Sequence, residues 1–406
     1  MPAATPGTPS LLRAMNDRAA LELLLTHGPL SRTRIGHLTG LSKPTASQLL
    51  ARLEDAGLVV ATGTDAGRPG PSAQLYALNP RAAYAGGLDV TPGRILAAVA
   101  DLTGEVVGSF ELPCAEGAGA VDQVTEALGE ALKAAGLQRS DLHRLVIATP
   151  GAFDPQTGQL RYAGHLPGWH SPTLLDDLAA ALPMPVEYEN DVNLAAIAEQ
   201  RLGAARGHED FVLLWNEEGL GAALVLGGRL HRGWTGGAGE VGYLPVPGHP
   251  LVRQVARANT GGYQELAGVQ VLPRLAAELG IEAAREPAPD APHNGPLVAE
   301  AVALLQRAAA EPEGLHLRFL QSYATGLATG LASLVAVLDP EIVVLSGAVI
   351  TAGGDPLRAL LEAELAELAP SRPRLVTGEV RERPVLRGAL ESALAATREE
   401  VFDTSR

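Results

Sequence analysis

The stretch "YAGGLDVTPGRILAAVADLTGEVVGSFELP", residues 84–113, decides the fold. It reads as three β-prone runs joined by Gly-rich turns. A helical run follows in "VDQVTEALGEALKAAG" (121–136), then a strand in "RLVIATPG" (144–151) and a helix near 172–182. A strand ending at Asn190 and a further helix complete the unit. After Gly207 the order repeats. Strands are expected at "FVLLWN" (211–216), "LGAALVLGG" (220–228) and "RLHRG" (229–233), with helices beyond. "EIVVLSG" (341–347), a helix, "RLVTGEV" (374–380) and a terminal helix close the chain. Two β-β-β-α-β-α units in series specify a duplicated α/β fold with a cleft between two lobes. The Pro-rich stretch "EPAPDAPHNGP" (286–296) is a surface loop within the second lobe.

Upstream, the periodicity is helical. Apolar residues recur at helical spacing through "LLRAMNDRAALELLLTHG", which stops at Gly28. "LSRTRIGHLTG" offers Ser31 as an N-cap and Gly40 as a turn. "LSKPTASQLLARLEDAG" opens on Ser42 with Pro44 in the first turn and closes at Gly57. Two strands around a Gly/Pro-rich tip follow in "LVVATGTDAGRPGPSAQLYALN". This is the pattern of a helix-turn-helix with a wing. In such a module the N-terminal end of the third helix enters the major groove. Ser42, Lys43, Thr45, Ser47 and Gln48 are placed to face bases and phosphates, and Arg52 suits a backbone phosphate. Arg68 at the wing tip suits the minor groove. A generic three-helix bundle with solvated polar faces is the plainer account of the same helices; the wing and the local charge favour DNA.

That local charge is hidden in the total. The 406 residues carry a net charge of −15, which argues against nucleic acid. Residues 1–80, however, hold seven Lys/Arg against five Asp/Glu. Only this segment stays eligible, because binding depends on the local patch. At 46% hydrophobic and 19% charged residues, the composition argues against global disorder. No apolar run is read as approaching the ~20 residues needed to cross a bilayer. "MPAATPGTPSLLRAMNDRAA" lacks a signal-peptide pattern. The single cysteine, Cys114, allows neither an internal disulfide nor a thiolate cluster. A cytoplasmic location, with no membrane partner, is expected.

Three blocks are more specific. "ENDVNLAAIAE", "LRYAGHLPGWH" and "GGAGEVGYLPV" resemble the signature blocks of the ROK family of sugar kinases and sugar-responsive repressors. "LSRTRIGHLTGLSKPTASQLLARLEDAGLVVATG" and "GRPGPSAQLYALNP" resemble the DNA-binding part of its repressor branch. The resemblance covers nearly the whole chain. It implies an actin/hexokinase-like (ribonuclease H-like) α/β domain at 81–406, with lobes about 81–205 and 206–406, preceded by a winged helix-turn-helix at 1–80. It also implies that sugar hydroxyls are held by Asn190, Asp191, Glu240, Tyr243 (where the family has His) and Glu265.

The same resemblance argues against catalysis. Family kinases carry Asp, one residue and Gly-Gly-Thr at the first phosphate loop; here Asp89 is followed by Thr91-Pro92-Gly93. Proline removes an N–H donor from such a cradle. Where the second loop is a Gly-Thr-Gly run, this chain has Glu217 and Glu218, which repel phosphate. One glycine, Gly347, remains of a third pair. Many members hold a structural zinc through that His and three cysteines; Tyr243 and Tyr263 stand in such positions, and His249 alone makes no site. No metal, no cofactor and no catalytic residue is expected.

The expected protein is a transcriptional regulator, a repressor by family. It is expected to bind double-stranded DNA at an inverted repeat as a homodimer or higher homo-oligomer. Its kinase-like cleft would sense a sugar or sugar phosphate without turnover. Dimerisation is expected through the large domain, because the winged helix offers little spare apolar surface. A sugar kinase with Asp191 as base, and a regulator sensing a protein partner, are the alternatives.

Overall fold

The computed structural model describes residues 9–65, 73–115, 117–161, 163, 166, 168–252, 261–282 and 295–404. Arg68 and the wing tip lie outside the described residues, as does most of the 286–296 loop.

The head is built as its caps predict. Helices Pro9–His27, Arg32–Thr39 and Lys43–Asp55 are followed by strands Val59–Asp65 and Ala73–Leu78, which pair antiparallel. A short strand, Leu30–Ser31, adds to the outer edge. The Ser31 hydroxyl accepts from the Arg34 N–H and the Ser42 hydroxyl from the Thr45 N–H. Each such cap contributes about 1 kcal/mol. Gly40 ends the second helix in the left-handed region at φ 70°, which a side chain would strain. Leu21, Leu24, Ile35, Leu49 and Leu53 form the head's core. Leu102 and Phe402 are buried in that same cluster, so the head is packed onto the large domain rather than strung from it.

Beyond the head the two repeats have one topology. In the first sheet, strands Tyr84–Val90, Arg94–Asp101, Val106–Pro113, Leu142–Thr149 and Val186–Asn190 lie in the spatial order third, second, first, fourth, fifth. In the second, Phe211–Asn216, Leu220–Leu226, Arg229–Leu230, Ile342–Ser346 and Arg374–Thr377 lie in the same order. The first three of each pair antiparallel and the last two run parallel to the first. Successive residues of a strand face opposite sides, and both sides of the first sheet are buried. Leu88, Ile95, Val99 and Ile147 face a core closed by helix Ala120–Ala135. Leu96, Ala98, Val146 and Ala148 face another.

That second face corrects the expected lobe boundary near residue 205. The terminal helix Pro384–Val401 returns to the first sheet, burying Ala389, Leu390, Ala393 and Leu394 against it. It also packs closely on helix Asp191–Leu202, where a Cβ on Gly388 would fall 1.8 Å from the Leu194 carbonyl oxygen. This helix helps to cover the face of the first sheet that carries Ala85, Leu96, Ala98, Val146 and Ala148. The helix begins beside the interlobe cavity at Pro384 and Val385 and ends at Val401 and Phe402 in the head's core.

Three further expectations need revision. Helix Gly314–Leu338 is long and apolar enough by composition to cross a membrane, although no such run was expected. Here Phe319, Leu320, Leu327 and Leu331 place it in the core of the second lobe. Two short strands, Ala152–Phe153 and Leu160–Arg161, were not anticipated; two residues carry too little periodicity to read. The head does present apolar surface: Leu11, Leu12 and Met15 on its first helix are all at least half exposed.

Candidate functional site

The third helix of the head presents its N-terminal end outward. Ser42, Lys43, Thr45 and Gln48 are exposed, and Ser47 is half-buried. The Ser47 hydroxyl donates to the Lys43 carbonyl at 2.9 Å and accepts from Arg32 at 3.2 Å. Arg32 was missed from sequence, though a cation in a helix's first turn, where the dipole disfavours it, is a signal of another purpose. Arg52 is corrected. Its guanidinium donates to the buried carboxylate of Asp17 at 2.6 Å, while the other carboxylate oxygen of Asp17 accepts from the Thr404 hydroxyl at 3.1 Å. A charge committed to a buried partner holds the head together, and Arg52 is no longer assigned to a phosphate.

Between the lobes lies a cleft of about 400 Å³. Asn190, Asp191, Glu240 and Tyr243 line it together. Glu265 does not join them: its carboxylate pairs with Arg274 at 2.7 Å, and the residue before it, Gln264, lines the cleft instead. The short helix Gly262–Ala267 has only six residues, too few for periodicity to say which of two neighbours faces inward. Gln264 also accepts from the Leu220 N–H at 2.8 Å.

The strand-to-helix junction divides the labour between its two polar residues. The Asn190 side chain caps helix Asp191–Leu202, accepting from the Asn193 N–H at 3.1 Å and donating to the Gly151 carbonyl at 3.0 Å. Asp191 is left facing the cleft, where its carboxylate accepts from the Val192 N–H at 2.8 Å. Burial pushes Asp191 up to about 8, against the lowering effect of that N–H, and Asp89, Glu240 and Glu217 push in the same direction as burial. Glu217 and Glu240 are each raised to about 7 by burial. A single-sequence reading cannot see this convergence, because the four acids lie on four separate segments.

A second compartment of about 840 Å³ adjoins the first through Asp191 and Glu217. Its walls include Asp89, Arg94, Ala348 and Arg383. The turn after Asp89 is closed on itself: the Thr91 N–H and hydroxyl both donate to the Arg94 carbonyl, and the Arg94 N–H donates to the Thr91 hydroxyl. Those amides are spent. Across from the turn, the Glu217 carboxylate accepts from the Ala348 N–H at 3.3 Å, directly after Gly347 at φ 90°. An anion of the chain's own thus sits on the amide that follows the remaining glycine. Tyr263 is buried, its hydroxyl donating to the Leu327 carbonyl at 2.6 Å, so an aromatic ring fills the place where the zinc-binding pattern calls for cysteine.

The ROK family profile matches residues 85–396. The chain belongs to the ROK family. A MarR family profile matches residues 16–68. Among ROK relatives, a glucokinase of Halalkalibacterium halodurans is 29% identical over 68% of this chain and 83% of its own. A candidate xylose repressor of a Caldicellulosiruptor species is 26% identical over 84% of each chain. Of solved structures, a ROK hexokinase of Thermus thermophilus matches with a TM-score of 0.62 at 28% identity, covering 78% of this chain and 99% of that one. A ROK transcriptional regulator described as a homolog of the E. coli MLC protein matches with a TM-score of 0.69 at 22% identity, covering 97% of each chain. The kinase-like fold of the large domain and the winged helix-turn-helix before it are both established by these matches.

Proposed function

We propose that this ROK protein is a DNA-binding transcriptional repressor whose kinase-like cleft senses a sugar without phosphorylating it. The observation that carries this is the continuity of an exposed recognition helix and an acid-lined ROK cleft in one packed chain. The repressor relative of similar length, aligned along most of both chains, supports the same reading. Residues 1–80 are assigned to DNA and 81–406 to effector binding and self-association. Asn190, Asp191, Glu240 and Tyr243 are assigned to the sugar, with Gln264 taking the place of Glu265. A polyol suits such a wall, because each hydroxyl needs both a donor and an acceptor.

Several kinases are also relatives, so turnover is the reading to set aside on physical grounds. Phosphoryl transfer works by positioned donors and cations around the phosphates. Here the Thr91 and Arg94 amides are used within the first turn, Pro92 has none, and Glu217 occupies the amide after Gly347. We assign no catalytic residue and no cofactor. A cytoplasmic homodimer on an inverted-repeat operator is the assembly proposed. A thermal-shift screen of sugars, followed by operator release measured with each stabilising compound, tests the whole reading. Hits that raise the melting temperature and release DNA are expected; hits that leave DNA bound at saturation overturn it.

A further inference from the structure

The electrostatic character of the cleft says which kind of sugar it fits. Four carboxylates, those of Asp191, Glu217, Glu218 and Glu240, line the 400 Å³ space. Among the described residues lining it there is no lysine, arginine or histidine. Arg94, Arg381 and Arg383 line the adjoining compartment instead, and Arg94 lies 3.6 Å from Asp89. Glu240 is half-buried and has no side-chain hydrogen bond or ion pair to any described residue. A half-buried carboxylate with no partner among the described residues, lining a cavity with three others, is available to a ligand's donors.

We infer that the effector is a polyhydroxylated ligand bearing a protonated primary amine, an unacetylated amino sugar, rather than a sugar phosphate. This rests on the reading of the cleft as a sugar site. A phosphate ester would bring further negative charge against four carboxylates in a space with little water, where like charges repel most strongly. A neutral sugar could use the acids as hydrogen-bonding partners but would bring no positive charge to favour their ionised form. An ammonium group offers three donors and one positive charge to the same atoms. The hydroxyls would then be left for Asn190, Gln264 and Tyr243. The size is appropriate, since small-molecule sites begin at about 300 Å³.

A second consequence distinguishes an amine from a neutral ligand. Asp191 faces Asp89, Glu217 and Glu240, while Glu217 faces Asp89, Glu218 and Arg94. Burial raises Asp191, Glu217 and Glu240, and neighbouring acids add to the shift of the first two, so the empty cleft gives up its protons less readily than free carboxylates do. A cation displaces them, so its binding releases protons; a neutral sugar does not require that release.

Isothermal calorimetry on the full chain at pH 7, in two buffers of different ionisation enthalpy, tests this. The probes are glucosamine, galactosamine and mannosamine, each beside its neutral parent sugar and that sugar's 6-phosphate. One amine is expected to bind at least about tenfold tighter than its parent, a difference of roughly 1.4 kcal/mol, with net proton release. The matching phosphate is expected not to bind. Glu240→Gln and Glu217→Gln should each shrink the amine-to-parent affinity ratio, with melting curves verifying that both variants fold. A phosphate that binds as well as its parent, or an amine no better than its parent, overturns the charge inference while leaving the sugar cleft standing. No binding by any of these sugars overturns the charge inference and withdraws support from the sugar-sensing reading beneath it.

Discussion

Asn190 caps helix Asp191–Leu202 and so frees Asp191, its neighbour, to face the cleft. The two positions should therefore fail in different ways. Asn190→Ala is expected to cost about 1 kcal/mol of stability through the lost cap, in addition to weakening effector binding through the lost amide. Asp191→Ala is expected to fold and bind operator normally but to ignore the effector. Melting temperature and effector-driven DNA release, measured on both variants, separate them. Normal release in Asp191→Ala would retire its place in the sugar site.

The raised acids also set a pH dependence. An acid whose pKa is higher in the folded chain keeps its proton there after the unfolded chain has lost it. Between about pH 4, the ordinary carboxylate value, and pH 8, the folded state therefore binds more protons and stability falls as pH rises. Asp191 at about 8 and Glu217 and Glu240 at about 7 place the end of that loss at neutral to mildly alkaline pH. Asp191→Asn removes the largest contributor. Melting temperatures at pH 5, 6.5 and 8 are expected to decline less steeply in the variant, which should be the more stable protein at pH 8. Parallel declines would contradict the assignment.

Arg52→Ala leaves the buried Asp17 with Thr404 but without its cation. A loss of about 1–3 kcal/mol in unfolding free energy is expected. Because Arg52 is not assigned to a phosphate, the salt dependence of operator binding should keep its slope at temperatures where the variant is folded. A slope reduced by about one unit with unchanged stability would return Arg52 to the DNA.

Gln48→Ala and Lys43→Ala act on different parts of recognition. Loss of a base-edge contact at Gln48 should relax preference at one position per half-site, by roughly 1–3 kcal/mol. Loss of Lys43 should weaken binding to all sequences and lower the salt slope. Competition binding against a set of single-base operator variants distinguishes the two patterns.

ATP should neither stabilise the protein nor be consumed. A coupled assay with the stabilising sugar is expected to show no turnover, and a melting curve with ATP no shift. Turnover abolished by Asp191→Asn would instead establish a kinase.

Local chemistry made much of this legible. The Ser31 and Ser42 caps, the Gly40 turn and the repeated strand order could be read because each rests on residues a few positions apart. The same holds for Asn190 and Asp191 at a strand end. What escaped depends on distance in sequence. Arg52 meets Asp17 across 35 residues, and the partner of Glu217 is the amide of Ala348, 131 residues away. Glu265 failed for a different reason. The resemblance fixed its position along the chain, while the side chains of a one-and-a-half-turn helix were turned so that Gln264 faces inward. The return of helix Pro384–Val401 to the first sheet was hidden because its apolar stripe would suit either lobe.

That helix has a mechanical consequence. Eighteen residues make a strut of roughly 27 Å, with one foot beside the interlobe cavity and the other in the head's core. A movement of the first lobe that carries this helix would therefore carry the head with it. In a paired assembly the two heads would be displaced in opposite senses, and the spacing between half-sites would become the quantity that the ligand adjusts.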